Sequence, residues 1–364
     1  MTPQPRPKYI TKIDHVVALS AREKRVLEPV AEKFAFRTND YYQSLIDWDD
    51  PKDPIRQIVM PATQELNHFG DWDASDEASY TVVRGLEHKY RDTALLLVNN
   101  VCGAYCRFCF RKRLFTKDND ESTNDVSEAL HYIRRHPEIN NVLLSGGDPL
   151  ILSTAKLGKI IRQLREIDHV AILRIGTKMP AFDPYRIVND PSLLEMLGRY
   201  STAEKRIYVM AHFNHPKELT DVAVEGLSLL QKAGVATIHQ SPLIRGVNDD
   251  SDVLAELFSR LSFNGVPPYY MFLCRPTAGN EPYVVPIEES WEILERAKLD
   301  VSGLARQARL CMSHKTGKIE VLGRTGNQVI LRYHRAAKEC DQGRVMIFKS
   351  QPDACWFDDY TKAG

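Results

Sequence analysis

The chain has 364 residues, enough to bury one large core, and its 48 basic and 48 acidic residues leave a formal net charge of zero. That balance gives no sign of a nucleic-acid or acidic-membrane partner. The opening Met-Thr-Pro-Gln-Pro-Arg-Pro-Lys has no apolar core and no later run approaches bilayer-spanning length, so no membrane partner is expected. The expected compartment is the cytoplasm, where thiols stay reduced.

Residues 1–90 read as a helical extension, with a helix over Ala21–Lys33 and a Pro- and Asp-rich connection around Asp47–Pro54. From about 95 to 275, short apolar runs alternate with amphipathic stretches, the pattern of repeated βα units. Strands are expected at Leu95–Val98, Val142–Leu144, Ala171–Ile175, Ile207–Met210, Ala236–Ile238 and Tyr269–Leu273, with helices at Glu128–Arg135, Thr154–Arg165, Val222–Lys232 and Val253–Leu261. Six such units predict an α/β fold, an open, partial (β/α)6 TIM-like barrel over residues 91–310, with a doubly wound sheet as the competing arrangement. In either, chemistry belongs where strands end and loops begin. Residues 311–364 return to strand-like runs, Lys318–Leu322, Gln328–Tyr333 and Arg344–Phe348, read as hairpins around Arg324-Thr-Gly-Asn.

The densest chemical signal is Cys102-Gly-Ala-Tyr-Cys106-Arg-Phe-Cys109, which opens off the first barrel strand. A [4Fe–4S] cubane needs four ligands, normally all thiolates. Three cysteines spaced four and three apart leave one iron open. In a C-x3-C-x2-C pattern that iron usually takes the amino and carboxylate groups of S-adenosylmethionine (SAM), whose reductive cleavage yields a 5′-deoxyadenosyl radical. A zinc knuckle is the competing reading, but it wants two separated ligand pairs. Cys274, Cys311, Cys340 and Cys355 are scattered singly and supply no second pair. The second strand ends Leu144-Ser-Gly-Gly-Asp148-Pro149, where bare backbone would let a ligand's amino group approach carbonyl oxygens, although the same residues suit a turn.

These residues carry a resemblance. The chain resembles the lysine 2,3-aminomutase family of radical SAM enzymes from about His88 to Lys318. The resemblance rests on His88-Lys-Tyr-Arg-Asp, the cysteine run through Arg113, Ser145-Gly-Gly-Asp-Pro-Leu150 and Arg174-Ile-Gly-Thr-Lys. It continues through His212-Phe-Asn-His-Pro-Lys-Glu218, Gln240-Ser, Arg245-Gly-Val-Asn-Asp249 and Pro268-Tyr-Tyr270. It implies a radical SAM barrel and three cofactors: a [4Fe–4S] cluster on Cys102, Cys106 and Cys109, SAM, and pyridoxal 5′-phosphate (PLP). It also implies a flavodoxin- or ferredoxin-type electron donor and a homo-oligomer, a dimer or tetramer.

Residue by residue, the resemblance assigns SAM to Ser145, Gly146, Gly147, Asp148, His212 and Gln240, and the PLP phosphate to Lys89 and Tyr90. The catalytic lysine that bonds covalently to PLP falls on Lys318, with Lys315 as its rival. His215 is expected to cap or pack the following helix rather than pair with His212 around a metal. Arg111 matches the arginine that holds the substrate α-carboxylate, a role its planar fork suits. Arg107, Lys112 and Arg113 are nearby cations without an assigned role, some of them offsetting the cluster's negative charge.

Substrate choice departs from the lysine enzyme. Where that enzyme places two aspartates for the distant ammonium, this chain has Arg275 and Cys311. A cation there repels a lysine ε-ammonium and favours an acidic side chain, as in the glutamate 2,3-aminomutase branch. The expected reaction is therefore migration of the amino group of L-glutamate from C2 to C3. Free lysine, or lysine for elongation factor P modification, is the alternative. A noncatalytic iron–sulfur or zinc-binding module is the reading from another class. If Arg275 were turned to the surface by Pro276, it would instead be a structural cation.

Overall fold

The computed structural model describes residues 6–116, 119–123 and 125–361. β1 (Tyr9–Ile10) and β2 (Thr38–Asn39) pair as a short antiparallel ribbon, and every other strand among the described residues lies in one twelve-stranded sheet. In chain order these are β3 (Thr81–Val83), β4 (Leu86–Tyr90), β5 (Thr93–Asn99), β6 (Asn141–Gly146), β7 (Ile172–Thr177) and β8 (Ile207–Ala211). They continue with β9 (Ala236–Leu243), β10 (Pro268–Leu273), β11 (Arg309–His314), β12 (Gly317–Thr325), β13 (Gln328–Ala336) and β14 (Val345–Lys349).

Spatial order follows chain order from β3 to β14, and β5 through β11 run parallel to one another. The end strands β3 and β14 do not pair, so the barrel is open. All six expected barrel strands are present. The parallel run gains a seventh, β11, whose short apolar stretch Leu310–Met312 carried too little periodicity to separate it from the tail. Residues 81–90, read with the helical extension, are strands that continue the sheet antiparallel beyond β5.

The long helices are α1 (Ala21–Lys33), α2 (Ser127–Arg135), α3 (Thr154–Arg165), α4 (Pro191–Tyr200), α5 (Asp221–Lys232), α6 (Ser251–Phe263) and α7 (Ile287–Leu299). Each of α2 to α7 connects successive parallel strands. α1 starts where it does because Ser20 and Glu23 form a capping box, each side chain accepting the other's backbone N–H. α3 is capped by Ser153 and buries Leu157, Ile160, Ile161 and Leu164, the stripe that seats a helix on a sheet. A separate apolar cluster joins Tyr42, Ile55 and Ile58 of the N-terminal segment to Ala104 and Phe108 of the cysteine loop. That cluster positions the site. No helix among the described residues is long and apolar enough to cross a membrane.

Candidate active site

The cysteine loop leaves the C-terminal end of β5 and is held from both sides. Toward the barrel, Gly147 N–H and Asp148 N–H donate to the carbonyls of Asn99 and Val101, each at 2.8 Å. A Cβ on Gly147 would lie 2.3 Å from the Val101 carbonyl oxygen, and one on Gly146, where φ is +106°, would lie 2.3 Å from that of Asn99. The glycine pair was expected to make room for a ligand. Its first requirement is the close passage of the loop's own backbone.

Toward the N-terminal segment, Tyr105 N–H and Arg107 N–H donate to the carbonyls of Arg37 and Ile58. Arg107 grips Glu65 through Nε at 2.9 Å and Nη2 at 2.7 Å. Lys112 Nζ donates to the Gly279 carbonyl at 3.0 Å, and Arg113 pairs with Glu77 and Glu121. These three cations therefore have protein counterparts of their own.

The loop forms one side of a cavity of about 360 Å³. Every residue assigned to the cluster, SAM, PLP or the substrate carboxylates lines it: Cys102, Cys106, Cys109, Ser145, Gly146, Gly147, Asp148, His212, Gln240, Lys89, Tyr90, Arg111, Arg275 and Lys318. Cys311 and Lys315 do not. Lys315 lies 54% exposed in the β11–β12 turn, with Nζ 4.0 Å from Asp358. Arg275 also faces the cavity and not the surface.

At the cysteine end, burial pushes all three thiols upward, Cys102 and Cys109 included, so ionised sulfur there needs a metal. No three His, Cys, Asp or Glu side chains among the described residues surround a single ion. A cubane asks for something else, since each cysteine takes a different iron. Asp148 is saturated by the protein: its carboxylate accepts from Thr177 Oγ1 at 2.7 Å and from the N–H groups of Leu150, Lys178 and Met179. Burial still raises it to about 6. Of its backbone, the N–H is spent on Val101 and the carbonyl, which accepts from Asn99 Nδ2 at 2.9 Å, keeps one lone pair for a ligand. His212 is half-buried, desolvation pushes it well down, and its Nε2 has no hydrogen-bond partner. His215 turns away and caps the following 3-10 turn, accepting from Lys217 N–H at 3.1 Å.

At the opposite end, Lys318 Nζ sits 3.9 Å from the Tyr270 ring centroid and 5.0 Å from that of Phe272. Burial, with the guanidinia of Arg174, Arg335 and Arg275 behind it, lowers its ammonium to about 7. Lys89 Nζ donates to the His314 carbonyl at 2.5 Å, and burial with Arg275 lowers it to about 8. Arg335 lies over the Tyr90 ring at 4.4 Å, and both line the cavity with Arg174. This end is rich in cations.

Between the two ends lies a cluster that sequence reasoning missed. Glu77 accepts from Arg111 Nε at 3.0 Å and Nη2 at 2.8 Å and from Arg113 Nη2 at 2.6 Å, while Arg275 Nη1 stands 3.7 Å away. Burial alone would raise the Glu77 carboxyl, but the three guanidinia outweigh it and hold it at about 2. Arg111 Nη1 donates to Ser145 Oγ at 3.0 Å, and Arg275 stacks on Phe110 at 3.5 Å and donates to Ser75 Oγ. Glu87, on β4, adds a second carboxyl. Glu77 sits in an acid-rich stretch that reads as solvated surface. Glu87 stands one residue ahead of the His88 motif, with no local mark to separate it from a solvated carboxylate.

The residues fit the three groups that the motifs imply. The three thiols share one wall, a histidine with an orphaned imidazole nitrogen lines the same space, and a lysine depressed by burial closes the far end. Comparison with known proteins agrees. Residues 96–258 match the model of the radical SAM superfamily. A protein of Aquifex aeolicus (strain VF5) named "Putative L-lysine 2,3-aminomutase" is 57% identical over 98% of this chain and 95% of its own length. The L-lysine 2,3-aminomutase of Clostridium subterminale is 36% identical, over 82% of this chain and 71% of its own. The glutamate 2,3-aminomutase of Clostridioides difficile (strain 630) is 33% identical, over 94% and 81%.

The chain belongs to the lysine 2,3-aminomutase family of radical SAM enzymes. Members of this family are isomerases that work with a [4Fe–4S] cluster, SAM and PLP, on small-molecule substrates and with a reductant. The open parallel barrel is the framework of that chemistry.

Proposed function

We propose that this aminomutase converts L-glutamate to β-glutamate. The observation that carries the choice of substrate is that Arg111 and Arg275 reach the same Glu77 oxygen, at 2.8 and 3.7 Å, so two guanidinia stand side by side in the cavity. Glu77 faces them both and is shared with Arg113, and Glu87, 3.8 Å from Arg111, is the second carboxyl beside them. Burial lowers Arg275 to about 10, the direction of a cation short of counter-charge. A short dicarboxylate supplies that charge, with its α-carboxylate on Arg111 and its side-chain carboxylate on Arg275. A lysine ε-ammonium beside Arg275 would instead meet like charge, on the order of 4 kcal/mol at 4 Å and an effective dielectric of 20.

In this reading Cys102, Cys106 and Cys109 hold the cluster, and Ser145, Gly146, Gly147, the Asp148 backbone, His212 and Gln240 hold SAM. Lys318 carries PLP, whose phosphate lies toward Lys89 and Tyr90. When bound, the cluster and SAM supply a hydrogen-abstracting radical, and PLP supplies a π-system able to hold an unpaired electron during amino migration. The protein's own part is positioning. With its ammonium lowered to about 7, Lys318 is substantially an uncharged amine at neutral pH, the form that attacks a carbonyl carbon. Arg111, fixed by Glu77 and Ser145, sets the distance from the substrate carbon to the cysteine end. The same reading includes a flavodoxin- or ferredoxin-type donor, a cytoplasmic location and a dimer or tetramer.

Lysine is the competing substrate, favoured by the names of the relatives at 57% and 36% identity and opposed by Arg275. The test is anaerobic turnover of the reconstituted enzyme with PLP, SAM and dithionite, offered L-glutamate, L-lysine and L-alanine separately, with products resolved by mass spectrometry. β-Glutamate as the product is expected, with at least a tenfold loss in Arg275→Asp. β-Lysine as the product overturns the glutamate assignment.

A further inference from the structure

One ionisable group in the cavity has no place in the assignments above. Glu87 lies on β4 with its side chain 9% exposed, and its Oε1 is buried without a hydrogen-bond partner. Arg111 Nη2 stands 3.8 Å from that oxygen, beyond hydrogen-bond range. Buried carboxyl oxygens are ordinarily paired, and one that is not marks a place where a partner arrives from elsewhere. The groups that face Glu87 are Glu77 from the segment before β3, Arg111 and Arg113 from the end of the cysteine loop, Arg275 from the loop after β10, and Lys89 on its own strand.

We propose that Glu87 is a specificity-determining residue that stays protonated and donates its O–H to a substrate carboxylate oxygen lying between Arg111 and Arg275. This rests on the glutamate reading and deepens it. Burial, with the charge of Glu77 added, raises Glu87 to about 8 against the opposing pull of Arg111, Arg113 and Arg275. At neutral pH the group is therefore a donor. A carboxylate meets donors from both guanidinia and from Glu87. An ammonium meets the like charge of both guanidinia, and a methyl group leaves Glu87 unpaired.

The sign of the pH dependence follows. Below pH 8 Glu87 already holds its proton, so binding a carboxylate exchanges none. Above pH 8 Glu87 is ionised, and binding the substrate anion draws one proton from solvent, so affinity falls about tenfold per pH unit.

The experiment uses the holoenzyme and glutarate, which has both carboxylates and no amine to migrate. Calorimetric titration from pH 6.5 to 9.5, in buffers of different ionisation enthalpy, reads affinity and proton uptake together. In Glu87→Gln the expected result is loss of about one proton of uptake at pH 9.5 and a flattened affinity profile. In Glu87→Leu binding at pH 7 should be at least tenfold weaker. Infrared difference spectra of the wild type need no variant, and glutarate at pH 9 should bring up the band of a protonated carboxyl. Unchanged proton uptake in Glu87→Gln, absence of that band, or L-lysine binding more tightly than glutarate each overturns the proposal. Glutarate binding that depends on Glu87 without any β-glutamate formation leaves Glu87 in place and removes the mutase substrate instead. β-Glutamate formation without Glu87 dependence does the reverse.

Discussion

Lys318 and Lys315 are three residues apart in one hairpin, and only one can serve PLP. Gly317 decides the geometry: φ is +150°, and a Cβ there would lie 2.4 Å from the Arg335 carbonyl oxygen, so β12 passes tightly against β13. The register then places Lys318 opposite Ser313, facing the cavity, while Lys315 stays in the turn. Lys318→Ala should abolish the visible absorbance of bound PLP and bring turnover below detection, with iron content unchanged. Lys315→Ala should leave absorbance and turnover as they are. Retained absorbance in Lys318→Ala rejects the assignment. That Lys318 faces the cavity was legible because a motif ran up to it. Glu77 and Glu87 were not, because nothing local distinguishes a carboxylate aimed at three guanidinia from one in solvent; that distinction depends on β4, the cysteine loop and the loop after β10 meeting in space.

Among the elements, the strand end at Ser145–Asp148 both lines the cavity and anchors the cysteine loop. Gly147→Ala places a Cβ 2.3, 2.5 and 2.6 Å from the Val101 carbonyl oxygen, amide nitrogen and carbonyl carbon. Backbone on that side is tied to Asn99 and Asp148 and cannot yield without moving the loop. Overpacking of this kind costs about 1–3 kcal/mol. The expected outcome is a lower melting temperature and less than half the wild-type iron per chain after reconstitution, with the far-ultraviolet circular dichroism retained; full iron loading would show that the loop tolerates the shift. The long elements were readable because capping and periodicity are local: the helix over Ala21–Lys33 carries its capping box, and α3 its apolar stripe. β3, β4 and β11 were read less well: the burial of β3 and β4 does not alternate, and β11 is made a strand by a parallel partner, β10, far away in the chain.

At the scale of the whole molecule, the N-terminal segment is a strap across the barrel mouth, held by backbone bonds to the cysteine loop, by Tyr42 Oη on Glu218 and by a buried ion pair. Arg107 and Glu65 are 1% and 0% exposed, and Glu65 also accepts from Tyr283 Oη at 3.1 Å and from Ala62 N–H at 2.9 Å, with Lys112 Nζ at 3.6 Å. A single carboxylate thus ties the N-terminal segment, the cysteine loop and the loop before α7 together. Glu65→Gln removes its charge and leaves the Arg107 guanidinium buried against a neutral amide. Breaking one partner of a buried pair costs about 3–5 kcal/mol, a large share of a stability that is typically 5–15 kcal/mol. The surface pair Arg199–Glu195, 67% and 73% exposed, is the control, and Glu195→Gln there should cost less than about 1 kcal/mol. Urea unfolding should show the midpoint falling sharply in Glu65→Gln and barely in Glu195→Gln, and iron should leave the Glu65 variant faster on exposure to chelator. Equal midpoints for the two variants would mean that apolar packing of Tyr42, Ile55 and Ile58 on Phe108 holds the strap, and that the ion pair only orients it.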